Sequence, residues 1–193
     1  MNTRGYLPHV AHTSSETLIQ SITFRLFDSV PETLIAKWKE ELEQTSGTDA
    51  NQRYIELANR IEHYEDAGHG CALLLNEKAA RIMQNALYYN DTKQYELLEW
   101  CIMPNHVHVL ISHNEDVKLS TIIKSWKSYS AHNINRALGR KGQLWMQDYF
   151  DRFVRDDEHL FATTKYIVEN PVRAGLVESA SKWRWSSGFM NQE

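Results

Sequence analysis

The sequence predicts an α+β fold in which helices pack on one face of an antiparallel sheet. Residues 17–28, 95–103 and 106–112 are rich in aliphatic and β-branched residues, which is typical of strands. Pro104-Asn105 separates the second and third of these and is a tight-turn sequence, so these two strands are predicted to pair antiparallel. The segments between the other strands have the periodicity of amphipathic helices.

Five helices are predicted along the chain. Apolar spacing predicts helices over 32–44, 52–66 and 78–89, with a polar loop at 45–49, whereas residues 71–75 are expected to be extended. The longest helix is predicted over 119–138, with glycines after its end. The aromatic-rich residues 144–153 predict neither helix nor strand. A last helix over 156–170 starts with acidic residues and is expected to stop before Pro171.

Length and composition indicate one globular domain over residues 1–193. The hydrophobic fraction of 42% is too high for a disordered chain. Residues 1–16 lack the apolar core of a secretory signal and are interpreted as a flexible arm or as an ordered cap. No run approaches the roughly 18 apolar residues that span a bilayer, so we expect a cytoplasmic protein without a membrane partner. Cys71 and Cys101 are expected to be buried free thiols rather than a disulfide.

Charge is distributed unevenly along the chain. The net charge is -4, yet residues 1–117 carry 9 basic and 17 acidic residues, whereas residues 118–193 carry 12 and 8. Six basic residues and no acidic one lie between Lys118 and Lys141. A local basic surface matters more for phosphate binding than the total charge. This stretch therefore indicates either a nucleic-acid surface or an ordinary solvated helix face.

Two histidines stand two residues apart in the third strand. Residues i and i+2 of a strand point to the same side, so His106 and His108 are expected to project together. Two imidazoles on a rigid strand make a suitable metal platform. The alternative is a pair of core or surface histidines that bind no ion.

The last predicted helix offers further ligands. Tyr166 and Asn170 are four residues apart and share one helix face, so this face could bring an amide oxygen and a phenol to the histidines. The alternative for Tyr166 is a core tyrosine. Tyr149 is a second candidate nucleophile, but its neighbour at i+4 is Phe153, which cannot bind a metal.

Taken together, these motifs resemble those of a known family. The segments 103–109 (MPNHVHV) and 166–176 (YIVENPVRAGL) are similar to those of the REP-associated tyrosine transposases, which are HUH single-strand nucleases related to insertion-sequence tyrosine transposases. Further similar segments cover nearly the whole chain: Arg4–His9, Thr23–Leu26, Trp145–Arg152 and Trp185–Ser187.

The resemblance implies a ferredoxin-like HUH core with a C-terminal catalytic helix. It implies that His106, His108 and Asn170 bind Mg2+ or Mn2+, with Asn170 where many relatives carry glutamine. Tyr166 would attack single-stranded DNA, form a 5′-phosphotyrosine and release a 3′-hydroxyl that can rejoin strands. The implied partner is the DNA hairpin of a repeated extragenic palindrome, bound by a bacterial, nucleoid-associated monomer or homodimer.

Basic residues are the candidate DNA contacts: Lys124, Lys127, Arg136, Arg140, Lys141, Arg152, Arg155 and Arg173. An alternative function is a non-catalytic hairpin-binding protein derived from a transposase. A more distant one is a zinc hydrolase, for which the sequence offers no carboxylate base beside the histidines, because Asn105 and Val107 flank them.

Overall fold

A four-stranded antiparallel sheet forms the centre of the computed structural model, which describes residues 17–45, 47 and 49–190. The strands are β1 (Thr17–Arg25), β2 (Glu96–Ile102), β3 (His106–Asn114) and β4 (Phe150–Phe153), in the order β2-β3-β1-β4. The predicted α+β class and antiparallel sheet are confirmed. The edge strand β4 lies in the aromatic-rich segment 144–153, for which neither helix nor strand is predicted. Residues 1–16, the predicted arm or cap, lie outside the described residues.

The helices match most of the predicted segments. They are α1 (Glu32–Gln44), α2 (Ala50–Asp66), α3 (Glu77–Tyr89), α4 (Leu119–Ala137), α5 (Asp157–Arg173) and α6 (Ser187–Met190). The expected extended segment at 71–75 is wrong, because Leu73–Leu75 form a 3-10 turn. This turn is held by a bond from the Leu74 amide to the Pro104 carbonyl, and Asn76 then caps α3.

Helix α5 runs through Pro171 to Arg173, so the predicted stop at Asn170 is wrong. Proline in a helix removes one hydrogen bond and costs about 3 kcal/mol, a cost that tertiary packing can offset. Both Asn170 and Pro171 are buried here, and the Ala174 amide still bonds to the Asn170 carbonyl. The helix keeps Asn170 in a regular turn, one turn after Tyr166.

Helices cover both faces of the sheet, which corrects the expectation of one covered face. On the first face, α3 and α4 pack Met83 and Trp126 into a core with Val107 and Val109. On the second face, α5 packs against the strands through a separate cluster: Cys101, Met103, Leu110, Leu160 and Ile167. The second face also carries the two histidines, since they alternate with the valines along β3.

The hairpin of α1 and α2 covers the rest of the second face. It has its own small core of Val30, Ile35 and Ile61. One contact fixes α2 to β4, where the Tyr54 hydroxyl accepts a bond from the Asp151 amide at 3.2 Å. A second fixes it to the turn that follows β1, where the Glu65 carboxylate accepts a bond from the Ser29 hydroxyl at 2.7 Å. Helix α2 therefore forms a wall above the histidines.

The structure bears on the expectations about membrane-spanning segments and about the two cysteines. Within the described ranges, no helix combines the length and the apolar character that crossing a bilayer requires. Cys71 and Cys101 are both free, and Cys101 is buried whereas Cys71 is half-buried.

Gly70 provides a test of how α2 is joined to β1. Gly68 and Gly70 both have positive φ values, +81° and +82°, but a Cβ on Gly70 would lie 2.7 Å from the Ser29 backbone, whereas a Cβ on Gly68 would meet nothing within 4 Å. Gly68→Ala should cost only the left-handed conformation, about 1 kcal/mol. We expect Gly70→Ala to lower the melting temperature at least about twice as much, because backbone must move. Equal losses in thermal unfolding would contradict this close approach.

Candidate metal and nucleophile site

His106 and His108 form the centre of the site on the second face of the sheet. Their exposed fractions are 0% and 2%, and their Nε2 atoms lie 2.9 Å apart with the rings nearly perpendicular. The antiparallel register places Arg25 opposite His106 and Thr23 opposite His108. The predicted side-by-side projection of the two imidazoles is therefore present.

Asn105 determines which nitrogen of His106 is free. Its amide nitrogen donates to the backbone carbonyls of Glu65 and His69, at 3.2 and 2.9 Å, so its oxygen must face the ring. That oxygen accepts a bond from His106 Nδ1 at 2.7 Å. The lone pair of His106 Nε2 therefore points at His108. On the other ring, His108 Nδ1 shares a hydrogen bond of 2.9 Å with the Thr23 hydroxyl. Such partners orient metal-binding imidazoles.

Helix α5 brings Tyr166 and Asn170 to the same point. The Tyr166 and His108 ring centroids are 5.8 Å apart, and Asn170 Nδ2 lies 3.2 Å from His108 Nε2. Asn170 is fully buried. Among the described residues, neither its Oδ1 atom nor the Tyr166 hydroxyl, both buried, has a hydrogen-bond partner. The convergence predicted from the sequence occurs within one chain.

The donor set fits a divalent cation. Burial lowers the pKa of His106 well below its usual value and that of His108 to about 3, so both rings are neutral at pH 7 and can donate lone pairs. The amide oxygen of Asn170 is a third neutral donor. In the described part of the chain, no three His, Cys, Asp or Glu side chains form a cluster suited to a metal. A three-ligand site therefore depends on the amide.

Three carboxylates that the sequence did not predict face the imidazoles from α2. Glu62 Oε1 lies 3.6 Å from His108 Nε2, and Glu65 Oε2 and Asp66 Oδ1 lie 3.8 and 3.7 Å from His106 ring nitrogens. The expectation that no carboxylate stands beside the histidines is wrong. That expectation considered only neighbours along β3, whereas these acids come from a helix about forty residues earlier. Their one sequence signal is the i, i+4 spacing of Glu62 and Asp66, which puts them on one helix face.

Burial dominates the electrostatics of these carboxylates. It raises the pKa of Glu62 to about 7, that of Glu65 to about 8 and that of Asp66 to about 6. Neighbouring carboxylates raise the pKa values of Glu62 and Glu65 further, whereas the Ser29 hydroxyl and Arg25 lower the pKa of Glu65. The cluster consequently lacks enough positive charge of its own to keep every carboxyl ionised.

A cleft opens beside the histidines between α2 and α5. It has a volume of about 280 Å³ and includes Glu62, His108, Arg152, His159 and Tyr166 in its lining. Tyr54 of α2 and Phe150 of β4 form an aromatic part of its wall, with ring centroids 5.3 Å apart. The cleft gives Tyr166 and the histidines a shared space.

The rival nucleophile Tyr149 lies elsewhere. It lines a groove beside α4, where the ammonium of Lys127 lies 5.5 Å from its ring centroid. Lys127 donates three hydrogen bonds of about 3 Å to the carbonyls of Met146, Gln147 and Asp148. Burial lowers its pKa to about 8. Since an ammonium has three donors, Lys127 holds this loop with all of them, and its predicted contact with a phosphate stays a prediction.

The other candidate DNA contacts form two groups. Arg152, Arg155 and Arg173 are exposed near the cleft, and the Arg173 guanidinium lies 4.3 Å from the Tyr166 ring centroid. The second group lies on or just after α4, which packs on the first face of the sheet: Lys124, Arg136, Arg140 and Lys141. The basic stretch predicted from the sequence is thus separated by the sheet from the histidines.

The chain belongs to a class of transposases. Residues 72–170, just over half of the chain, match the family model described as IS200-like transposase. The chain belongs to this family of DNA-processing enzymes. The matched segment starts before α3 and ends at Asn170, so it contains both histidines and Tyr166.

Two relatives agree with this assignment. A Haemophilus influenzae protein named as a REP-associated tyrosine transposase is 28% identical over 123 residues, which cover 58% of this chain and 68% of the relative. A solved structure of a REP-associated tyrosine transposase bound to a REP hairpin has a TM-score of 0.58 at 15% identity, covering 96% of this chain and 85% of that one. That likeness confirms the fold, and the family resemblance stated from the sequence is confirmed.

The stability of the metal-free protein should depend on pH with a defined sign. Glu62 and Glu65 have folded pKa values of about 7 and 8 against an ordinary 4.5, so the stability they contribute is complete below pH 4.5 and is lost progressively as pH rises from there to 7 and 8. The histidines have lowered values, so they destabilise the fold as pH falls below 6.5. We expect the melting temperature in EDTA to be highest in mildly acidic solution.

Thermal unfolding followed by circular dichroism measures this effect. Glu62→Gln should flatten the fall of the melting temperature between mildly acidic and mildly alkaline solution, whereas Glu56→Gln, at an exposed position of the same helix, should keep it. A melting temperature that does not fall between mildly acidic and mildly alkaline solution would contradict the interpretation.

Proposed function

We propose that the protein is a metal-dependent single-strand DNA endonuclease and strand transferase that acts on DNA hairpins through a 5′-phosphotyrosine. Its family and the REP hairpin bound by its structural neighbour support a DNA substrate. The observation that carries the proposal is the position of Tyr166, whose ring stands 5.8 Å from that of His108 in a shared cleft.

Tyr166 is the nucleophile in this proposal. Its phenolic oxygen bonds to the phosphorus of a single strand while the bond from phosphorus to the 3′ oxygen breaks. The phenolic proton is lost to solvent and the departing oxygen gains a proton to become a 3′-hydroxyl. Because the new phosphodiester retains the bond energy, a 3′-hydroxyl can attack it and rejoin strands.

Arg173 assists the phenol. A tyrosine with a pKa of ~10 is a weak nucleophile at neutral pH. The guanidinium of Arg173 lies 4.3 Å from the Tyr166 ring centroid, where its charge favours a developing phenolate and attracts a phosphate.

His106, His108 and Asn170 are the residues that would hold a divalent cation, Mg2+ or Mn2+. Bound there, such a cation supplies the charge that polarises a phosphodiester, and three neutral ligands leave that charge undiminished. Thr23 and Asn105 orient the imidazoles through their hydrogen bonds.

Two groups of basic residues would contact different parts of the DNA. Arg152, Arg155 and Arg173 flank the cleft and would contact the phosphates of the single strand. Lys124, Arg136, Arg140 and Lys141, on or just after α4 on the first face of the sheet, would contact the backbone of a hairpin stem. Contacts of this kind position the DNA without reading its sequence.

Formation of a covalent adduct tests the nucleophile. Hairpin oligonucleotides with single-stranded flanks of randomised sequence are incubated with the protein and Mn2+ and resolved on a denaturing gel. We expect the wild-type protein and Tyr149→Phe to retain a 3′ label, because the strand is attached by its 5′ phosphate, and Tyr166→Phe to form no adduct. A 5′ label should not be retained. Tight binding without an adduct from the wild-type protein would instead indicate the non-catalytic hairpin-binding alternative.

Arg173→Gln tests the role of the guanidinium. We expect adduct formation to slow at least about tenfold, while Mn2+ binding is no weaker, because a positive charge is removed beside the transition state. Arg184→Gln is the matched control, since Arg184 is an exposed arginine that pairs with Glu77. An unchanged rate for Arg173→Gln would remove Arg173 from the proposal.

A further inference from the structure

The acidic pair of α2, defined as Glu62 and Asp66, has no evident structural purpose. Glu62 Oε1 faces His108 Nε2 at 3.6 Å, and Asp66 Oδ1 faces His106 Nε2 at 3.7 Å. Both oxygens are buried, and within the described ranges neither accepts a hydrogen bond. A buried carboxylate oxygen without a donor is unfavourable unless a positive charge is nearby.

Glu65 lies between Glu62 and Asp66 in sequence but, unlike them, has a structural role. Its side chain accepts the Ser29 hydroxyl bond and lies 3.8 Å from the Arg25 guanidinium, so it anchors α2 to β1. The acidic pair has no such role. Arg173 attracts both members electrostatically, but its guanidinium also lies over the Tyr166 ring and its side chain is exposed.

Asn170 supplies a second, independent indication of a cation. It is fully buried, its amide group lies against His108, and among the described residues its Oδ1 atom has no partner. The lone pair of His106 Nε2 points to the same place. Acceptor atoms from β3, α2 and α5 thus meet at this point, with the Asn170 amide nitrogen as a donor 3.2 Å from His108 Nε2, and a cation bound among the unpartnered oxygens would stabilise them.

The acidic pair acts on a cation by charge and not as part of its ligand set. No three His, Cys, Asp or Glu side chains of the described residues are placed to share an ion. Two neutral imidazoles and an amide leave a divalent cation with two uncompensated positive charges, and the pair carries two negative ones when ionised.

We propose that the acidic pair couples the divalent cation to the entry of DNA. The pair draws the cation to the histidines, and without the cation its negative charge repels a phosphate from the cleft that Glu62 lines. By linkage, the cation then raises the affinity for DNA and DNA raises the affinity for the cation by the same factor. This inference rests on the proposed function of the same site. The pair lies outside residues 72–170, so the coupling comes from a part of the chain beyond the family match.

The test uses the isosteric double variant Glu62→Gln with Asp66→Asn. Glu56→Gln is the control, because Glu56 lies on the same helix but is exposed and pairs with Arg60. Mn2+ affinity without DNA is measured from the electron paramagnetic resonance signal of free Mn2+. We expect the double variant to bind Mn2+ at least roughly tenfold more weakly, as loss of outer charges at metal sites commonly does. The control should remain unchanged.

The second measurement is DNA binding in EDTA at mildly alkaline pH. The probe is a fluorescent oligothymidylate about twelve nucleotides long, followed by anisotropy. Here the double variant should bind about threefold or more tightly than wild type, because repulsion has been removed. The two effects have opposite signs, whereas a damaged fold would weaken both. If the double variant unfolds, Glu62→Gln alone replaces it, and this single variant is expected to show both effects to a smaller degree.

The outcomes separate this inference from the proposed function. Unchanged Mn2+ affinity in the double variant, or unchanged or weaker DNA binding in EDTA, overturns the coupling. His106→Ala should lose Mn2+ binding. If His106→Ala binds Mn2+ as wild type does, the metal site itself fails. If it loses Mn2+ while the acidic-pair variants behave as wild type, only the coupling fails.

Discussion

Alternation of side chains along β3 is the constraint on which the rest of the structure depends. Val107, Val109 and Ile111 point into the core beneath α3 and α4, and His106 and His108 point to the opposite face. A slip of one residue would exchange the two sets, burying imidazoles in the hydrophobic core and placing valines at the site. Pairing with β1 over nine residues and the turn at Pro104-Asn105 therefore secure the core and the site at once.

Asn105 connects this sheet to the helix above it. Its amide nitrogen bonds to carbonyls at the end of α2 and the following loop, and its oxygen bonds to His106. A buried side chain whose polar groups are all hydrogen-bonded is favourable. Removing it would leave the buried His106 Nδ1 without its partner, whereas the Glu65 carbonyl would keep its bond from the Gly68 amide. The orientation of one imidazole and the position of the α2 wall are thus determined by the same residue.

Local patterns account for what the sequence predicted correctly. Strand composition and helical periodicity located nearly all the elements, and the spacings of His106 with His108 and of Tyr166 with Asn170 predicted which side chains share a face. Long-range packing accounts for the errors. The covering of the second face and the helix that continues through Pro171 are set by partners distant in sequence. The carboxylates of α2 were missed for the same reason.

The placement of Tyr166 and Asn170 on successive turns of α5 has a mechanical consequence. Four helical residues span about 6 Å along the axis, and the backbone hydrogen bonds between them make this segment rigid. The phenol of Tyr166 and the carboxamide of Asn170 therefore cannot be repositioned one without the other. Any shift or rotation of this helical segment would move both groups away from the imidazoles together, so the site forms or comes apart in a single movement.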